Sequence, residues 1–361
     1  MQYHPIENYG VIGDLNTVAL VGIHGSIDFM CFPDFDSPSV FAALLDAEKG
    51  GYFCIQPQNL DDVHNKQLYL PDTNVLLTRF LSSEGVGELT DFMPVEERYQ
   101  GGNVLVRRVR SVRGQLHFTM TCAPRFDYAR AEHQVREEGG AMLFVTEKTT
   151  LRLSATVPLH VRKDGAGHDD VTTNFVLEEG ETADFILELV SPEVEPDRDV
   201  VDFVGHHLYA TMHYWRDWIG RSRYQGRWRE MVNRSALALK LMTSYKYGSV
   251  VAAPTFGLPE GIGGERNWDY RYTWIRDASF SVYSMVSLGY TREAGDFMRW
   301  VERRCEDMGE DDGDPTNGYL GLMYQLSGER RLHETTLDHL EGYCGSRPVR
   351  IGNGAHDQLQ L

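Results

Sequence analysis

Long apolar runs are missing from this sequence. No stretch approaches the roughly 20 residues that a helix needs to cross a bilayer. The opening Met1-Gln2-Tyr3-His4-Pro5 has neither a basic nor an apolar leader segment, so no secretory signal is expected there. Cysteine is sparse. Cys31, Cys54, Cys122, Cys305 and Cys344 are odd in number, scattered and never spaced C-x-x-C. That argues against a disulfide framework and for reduced thiols in a cytoplasmic protein. Cationic residues are few: 35 Lys and Arg against 53 Asp and Glu, a net charge of −18 over 361 residues. Such a field repels polyanions, so neither nucleic acid nor an anionic membrane is expected as a partner. The expected substrate is neutral or cationic.

The nucleotide and metal signatures are absent too. There is no G-x-x-x-x-G-K-[ST] loop and no G-x-S-x-G elbow. Gly261-Ile262-Gly263-Gly264 lacks the third-glycine spacing of a dinucleotide turn. His206, His207 and His213 fall on one expected helix without H-E-x-x-H spacing. Asp311, Asp312 and Asp314 open like a calcium loop, but the twelfth position from Asp312 is Met323 and not a bidentate glutamate. No cofactor and no metal are expected.

What is present changes period along the chain. Leu116, Phe118, Met120 and Cys122 alternate with polar residues, as do Leu151, Leu153, Ala155 and Val157, and again Ala183, Phe185, Leu187 and Leu189. Period two means strands with one face buried. Shorter runs at Val75–Leu77 and Val104–Val106 add further strands, and Gly/Asp clusters such as Lys163-Asp164-Gly165-Ala166-Gly167 separate them. Many short strands without helices between them predict an antiparallel sandwich. Ser191-Pro192-Glu193-Val194-Glu195-Pro196-Asp197 reads as an acidic linker. After it the period becomes helical. Leu208, Met212, Trp215 and Ile219 line one face of a helix over about 200–219. Further helices are expected over about 228–245, from Asp277 onward, over 292–305 and around 334–340. The division is therefore a β domain over 1–195, a linker-helix region over 196–226 and a helical domain over 227–361.

Two segments carry chemistry. In Glu265-Arg266-Asn267-Trp268-Asp269-Tyr270-Arg271-Tyr272-Thr273-Trp274-Ile275-Arg276-Asp277 four aromatics fall at alternate positions with polar groups between them. Such rings suit the C–H face of a sugar, and Arg and Asp suit its hydroxyls. The same pattern fits core aromatics with Asp277 as a helix N-cap. In Gly342-Tyr343-Cys344-Gly345-Ser346-Arg347-Pro348-Val349-Arg350-Ile351-Gly352-Asn353-Gly354 two arginines stand in a glycine-rich loop. An anion site, a hydroxyl site and ordinary loop ion pairs all fit it.

At these residues the chain resembles glycoside hydrolase family 15, the glucoamylases and trehalases. Ile6-Glu7-Asn8-Tyr9-Gly10, Gly13-Asp14, Gly25-Ser26-Ile27-Asp28 and Phe35-Asp36-Ser37-Pro38 look like the opening of its bacterial members. Arg266 to Asp277 and Ser346-Arg347-Pro348-Val349-Arg350-Ile351-Gly352-Asn353 match two further motifs. The resemblance implies a super-β-sandwich followed by an (α/α)6 toroid, and an exo-acting enzyme that inverts the anomeric carbon of a terminal glucose in a small neutral oligosaccharide. By motif position, Tyr270, Trp274, Arg276 and Asp277 look like residues that wall the sugar pocket, and Arg347 like the arginine of its second loop. Fungal glucoamylases carry tryptophan where Gly345 stands here, which leaves room for trehalose as well as maltooligosaccharides.

The resemblance assigns no catalytic residue to this chain. Inversion needs two carboxyl groups about 6.5–9.5 Å apart. In the family both are glutamates that follow the second motif, and only eight residues follow Asn353 here. Asp277 matches a binding position, not the acid or base. At roughly 12 residues per helix and 5 per connection, 227–361 has room for about eight helices of the twelve a toroid needs. The expectation is an incomplete toroid whose apolar edge lets copies associate. The alternative is a non-catalytic sugar-binding or structural remnant.

Overall fold

The structure, a computed structural model, describes residues 3–60, 62–95, 103–163, 168–190, 198–307 and 320–357. The linker at 191–197, the loop at 164–167, the acidic loop of Asp311, Asp312 and Asp314, and the chain from 358 onward lie outside the described residues. The chain divides into two compact units. One comprises Met1–Asp14, Val18–Pro33 and Ser37–Arg216, the other Leu15–Thr17, Asp34–Asp36 and Asp217–Leu361.

The first unit is an antiparallel β-sandwich. One sheet orders its strands β1 (Tyr9–Gly13), β2 (Val18–Gly22), β3 (Ser26–Cys31), β5 (Tyr52–Pro57), β10 (Leu116–Ala123), β15 (Asp170–Leu177) and β14 (His160–Arg162), with β4 (Ser39–Phe41) against β3. The other orders β11 (Gln134–Glu138), β12 (Ala141–Val145), β13 (Thr150–Ala155), β16 (Thr182–Leu189), β9 (Val104–Arg113), β8 (Val86–Phe92), β7 (Leu76–Leu81) and β6 (His64–Tyr69). A four-residue turn, α1 (Phe126–Ala129), follows β10. The alternation read from the sequence sets the packing. Leu116, Phe118 and Met120 of one sheet share a core with Leu105, Leu153, Phe185 and Leu187 of the other, while His117 between Leu116 and Phe118 is exposed. Phe118 stacks on Phe175 at 5.6 Å.

The alternation fails in β9 and β16, for a physical reason. Val104, Leu105 and Val106 are all buried, as are six consecutive residues of β16. Helix α2 (Val200–Ile219) covers the outer side of these strands, setting Val204 with Phe203, Leu208 and Met212 against Val104, Val106 and Ile186. A sheet covered on both faces has no wet face to mark.

Helices are the main regular elements of the second unit. It holds α3 (Arg229–Leu241), the short strand β17 (Thr273–Trp274), α4 (Ile275–Leu288), α5 (Thr291–Asp307), and β18 (Met323–Tyr324), β19 (Thr335–Thr336) and β20 (Arg350–Ile351). Helix α4 stops at Gly289, whose φ of 103° ends it in the left-handed region open to glycine. Val282 and Ala278 of α4 pack with Phe297 and Trp300 of α5, and Trp300 Nε1 donates to Leu326 O at 2.9 Å. Trp218 stacks on Tyr290 at 4.0 Å, and its Nε1 donates to Glu293 Oε1 at 2.7 Å. Glu293 also pairs with Lys240 at 2.9 Å.

Two local expectations are corrected. The region 334–340 is not a helix. Thr335 and Thr336 pair with Ile351 and Arg350, and Leu337 N donates to Val349 O at 2.8 Å. Two adjacent β-branched residues favour that extended pairing. Asp277 does not cap α4, because the helix begins at Ile275 and Trp274 takes the cap position. Asp277 lies in the first turn, where a carboxylate still suits the helix dipole. No helix among the described residues is long and apolar enough to cross a membrane.

Candidate functional site

The two motif segments lie some 80 residues apart in sequence and are knit together in space. Asn267 is fully buried, and its amide nitrogen donates to Gly264 O at 3.1 Å and to Ser346 O and Pro348 O at 3.0 Å. Gly263 N donates to Ser346 Oγ at 2.9 Å. Asp269 and Arg271 are both fully buried and form a fork-on-fork pair, with Arg271 Nε on Oδ1 at 2.9 Å and Nη2 on Oδ2 at 2.7 Å. The spacing of two in an extended segment puts both side chains on one side. Asp269 then accepts the Gly352 N–H at 3.1 Å. Gly352 has φ +73°, and a Cβ there would fall 1.9 Å from His333 O, so only glycine fits this junction. Arg350 closes the other side. Its Nη1 donates to Glu265 O at 2.7 Å, and its guanidinium lies 4.7 Å from the Trp268 ring.

This frame presents the sequence-predicted residues. Trp274 and Tyr272 are buried with Met323 and Leu332, so these two rings belong largely to the core. Tyr270 is half-buried and tilts against Trp274 with centroids 5.6 Å apart. Burial pushes the Tyr270 hydroxyl above its ordinary pKa, and the nearby carboxylates of Glu260 and Asp277 push the same way. Arg276 and Asp277 form an exposed pair at 3.1 Å, with 58% and 44% of their side chains accessible. Tyr270 is therefore a half-buried ring backed by the buried Trp274, and the exposed Arg276–Asp277 pair follows directly in the chain. Arg347 is exposed, and its side chain makes no hydrogen bond or ion pair among the described residues. It directly follows Ser346, whose carbonyl Asn267 holds. Sequence reasoning missed Asn267, Asp269 and Arg271 as the frame. The D-x-R spacing was the available signal.

The family described as "Trehalase-like, N-terminal" matches residues 1–202, and that described as "Glycosyl hydrolases family 15" matches residues 226–361. A protein of Thermoplasma volcanium named "Trehalase" is 38% identical, covering 99% of this chain and 55% of its own length. A "Trehalase" of Mycolicibacterium smegmatis is 34% identical, covering 99% and 55%. "Trehalase 1" of Sulfolobus acidocaldarius is 31% identical, covering 98% and 57%. The chain belongs to the family described as "Trehalase-like, N-terminal", whose model matches more than half of it, and its remaining part matches glycosyl hydrolases family 15. It spans a little over half the length of the curated relatives it matches.

Proposed function

We propose that this chain is the sandwich and sugar-holding part of an exo-acting, inverting α-glucoside hydrolase, with trehalose as the first substrate to test and maltooligosaccharides as the comparison. The observation that carries this reading is the junction of the two distant motif segments through Asn267 and Asp269 around one aromatic and charged surface. The name trehalase, borne by the three relatives above, supports the choice of sugar. Tyr270, packed against the buried Trp274, would offer its ring face to the terminal sugar. Arg276 would donate to its hydroxyls and Asp277 would accept from them, a pairing that suits a neutral substrate. Arg347 would reach the same sugar from the second loop.

The acid and base are proposed to belong to the part of the relatives' length that this chain does not span. Helices α3 to α5 are read as the opening of an (α/α)6 toroid, with domain limits at 195 and 226. The stripe of Phe280, Tyr283 and Val286, exposed at 70%, 72% and 44% on α4, supports self-association through that open edge. Light scattering over a concentration series tests it, and a monomer throughout would refute it. None of the five cysteines forms a disulfide among the described residues, which supports a reducing, cytoplasmic setting.

The test of function is glucose release from trehalose and from maltooligosaccharides by this chain and by a longer product of the same gene, together with calorimetric sugar binding by both. Release by the longer form alone, with binding by both, is expected. Release by the 361-residue chain would show that it holds an acid and a base. Binding by both forms without release by either would favour the non-catalytic reading.

A further inference from the structure

A hollow of about 400 Å³ opens on the outer face of the sandwich's first sheet. Ser26 and Asp28 of β3, Cys54 and Gln56 of β5, and Thr119 and Thr121 of β10 line it in alternation. Their neighbours Ile27, Phe53, Ile55, Phe118 and Met120 lie in the core behind. An outer sheet face ordinarily meets water directly. Here Tyr3 and His4 wall it from the N-terminal side and Ala43 and Ala47 from the connection after β4. The wall is bonded in place. His4 Nδ1 lies 3.0 Å from His24 Nε2, and Tyr3 Oη donates to Leu45 O at 3.4 Å.

The lining sets the chemistry of an occupant. Asp28 is its one carboxylate, and both its oxygens are engaged, Oδ2 by Tyr9 Oη at 2.8 Å and Oδ1 by Ser26 Oγ at 2.5 Å. An ammonium group would have to displace these donors. No lysine or arginine is among the lining residues, and Arg162, which bonds the Tyr52 hydroxyl, is already paired with Asp170 at 2.7 Å, so a phosphate or carboxylate would find no unpaired positive charge there. Burial pushes the Cys54 thiol up to about 12, which keeps it neutral. The groups left open are neutral. Thr121 is only 8% exposed, yet its hydroxyl has no hydrogen-bond partner among the described residues, and neither has the Gln56 amide. Tyr9 and Tyr52 add aromatic surface. The volume falls within the roughly 300–1,000 Å³ of small-molecule sites. Flat apolar rings, neutral donors and acceptors, and no free charge together match a ring compound whose faces are C–H and whose edge is hydroxyl.

We propose that this hollow binds a neutral polyhydroxylated ring compound of one- or two-sugar size, at a site made entirely of sandwich residues. The proposal does not depend on hydrolysis at the motif segments. It is tested on the full chain by titrating glucose and trehalose while following the methyl resonances of Ala43 and Ala47. Saturable shifts at these methyls with either sugar are expected, and the sugar that produces them defines the site as one ring or two. Thr121→Val combined with Gln56→Leu should weaken that binding about tenfold, which is about 1.4 kcal/mol. Asp277→Asn should leave it unchanged. Ala47→Trp fills the hollow from its rim and should abolish the shift at Ala43, which keeps the test open if the double variant folds poorly. Absence of shifts with both sugars, or shifts that survive both sandwich variants, would overturn the proposal. So would shifts lost with Asp277→Asn.

Discussion

Among the described residues two aspartate–arginine pairs are fully buried, one in each unit, and they hold different things together. Asp91 and Arg107 face each other across β8 and β9. There the arginine has donors to spare. Its remaining N–H groups go to Phe53 O and, at 2.8 Å, to Gly25 O of the opposite sheet. The guanidinium thus bonds the two sheets across the core. Asp269 and Arg271 stand two residues apart on one segment. There the carboxylate has acceptors to spare and takes the Gly352 N–H from a loop 83 residues further on. Both pairs satisfy themselves first, as buried charges must. What each has left over decides its role: sheet to sheet in the sandwich, loop to loop in the helical unit.

Removing one partner should separate the two roles, and the largest effect is expected in the sandwich. Arg107→Leu leaves a buried carboxylate and two carbonyl bonds unmet, and should cost about 3–5 kcal/mol in urea unfolding of the full chain. A loss below about 1 kcal/mol would mean that water reaches the pair. Arg271→Ala should cost a comparable amount, about 3 kcal/mol, but with a second signature. Asp269 would reorient, so exchange of the Gly352 amide should quicken more than that of amides in α5. Uniform quickening would mean that the pair supports the unit as a whole and not the loop junction.

The same comparison explains how far the sequence could be read. The sandwich strands were legible wherever one face met water, as at Leu116 to Cys122. In β9 and β16 the strands were read as well, but not the burial of their outer face, which α2 covers. The helices were legible by period except near Thr335, where the pairing of Thr335 and Thr336 with Ile351 and Arg350 overrode it. The binding candidates were reached through motif resemblance, and their surroundings were not. The pair of alternatives for the aromatic segment resolves residue by residue, Tyr272 and Trp274 falling to the core and Tyr270 staying half-open. Asp269-x-Arg271 was written plainly in the chain. Its partner Gly352 was not, because a backbone N–H leaves no mark in sequence. The cross-strand pair Asp91–Arg107 needed the register of β8 and β9 before either residue could be connected to the other.

An exposed pair sharpens the contrast further. Arg276 and Asp277 lie in solvent, where a single ion pair contributes about 0–1 kcal/mol. Arg276→Ala should therefore leave the unfolding midpoint nearly unchanged. Calorimetric binding of trehalose should nevertheless weaken by about tenfold or more, the loss of a charge-assisted hydrogen bond. Stability loss comparable to that of Arg271→Ala would show that Arg276 belongs to the frame and not to the sugar surface.

The smallest expected effect concerns a contact made without an ion pair. His24 touches His4 at 3.0 Å, and its other ring nitrogen lies 3.2 Å from Asn65 Nδ2. Burial holds its pKa below the ordinary histidine value, His4 adds to this, and Asp28 opposes it. The folded chain therefore binds a proton at His24 less readily than the unfolded chain does, so stability from this residue is complete above about pH 6.5 and falls as pH drops towards the lowered folded value. Paired urea melts at about pH 7.5 and 5.5 should show this loss in the native chain and a smaller one in His24→Gln, which keeps polar contacts but cannot titrate. An equal loss in both would assign the acid sensitivity to other groups. The buried pairs around Asp91 and Asp269 derive their hold from opposite charges. The His4–His24 contact depends on at least one ring staying neutral, because two protonated rings would both be donors and would repel.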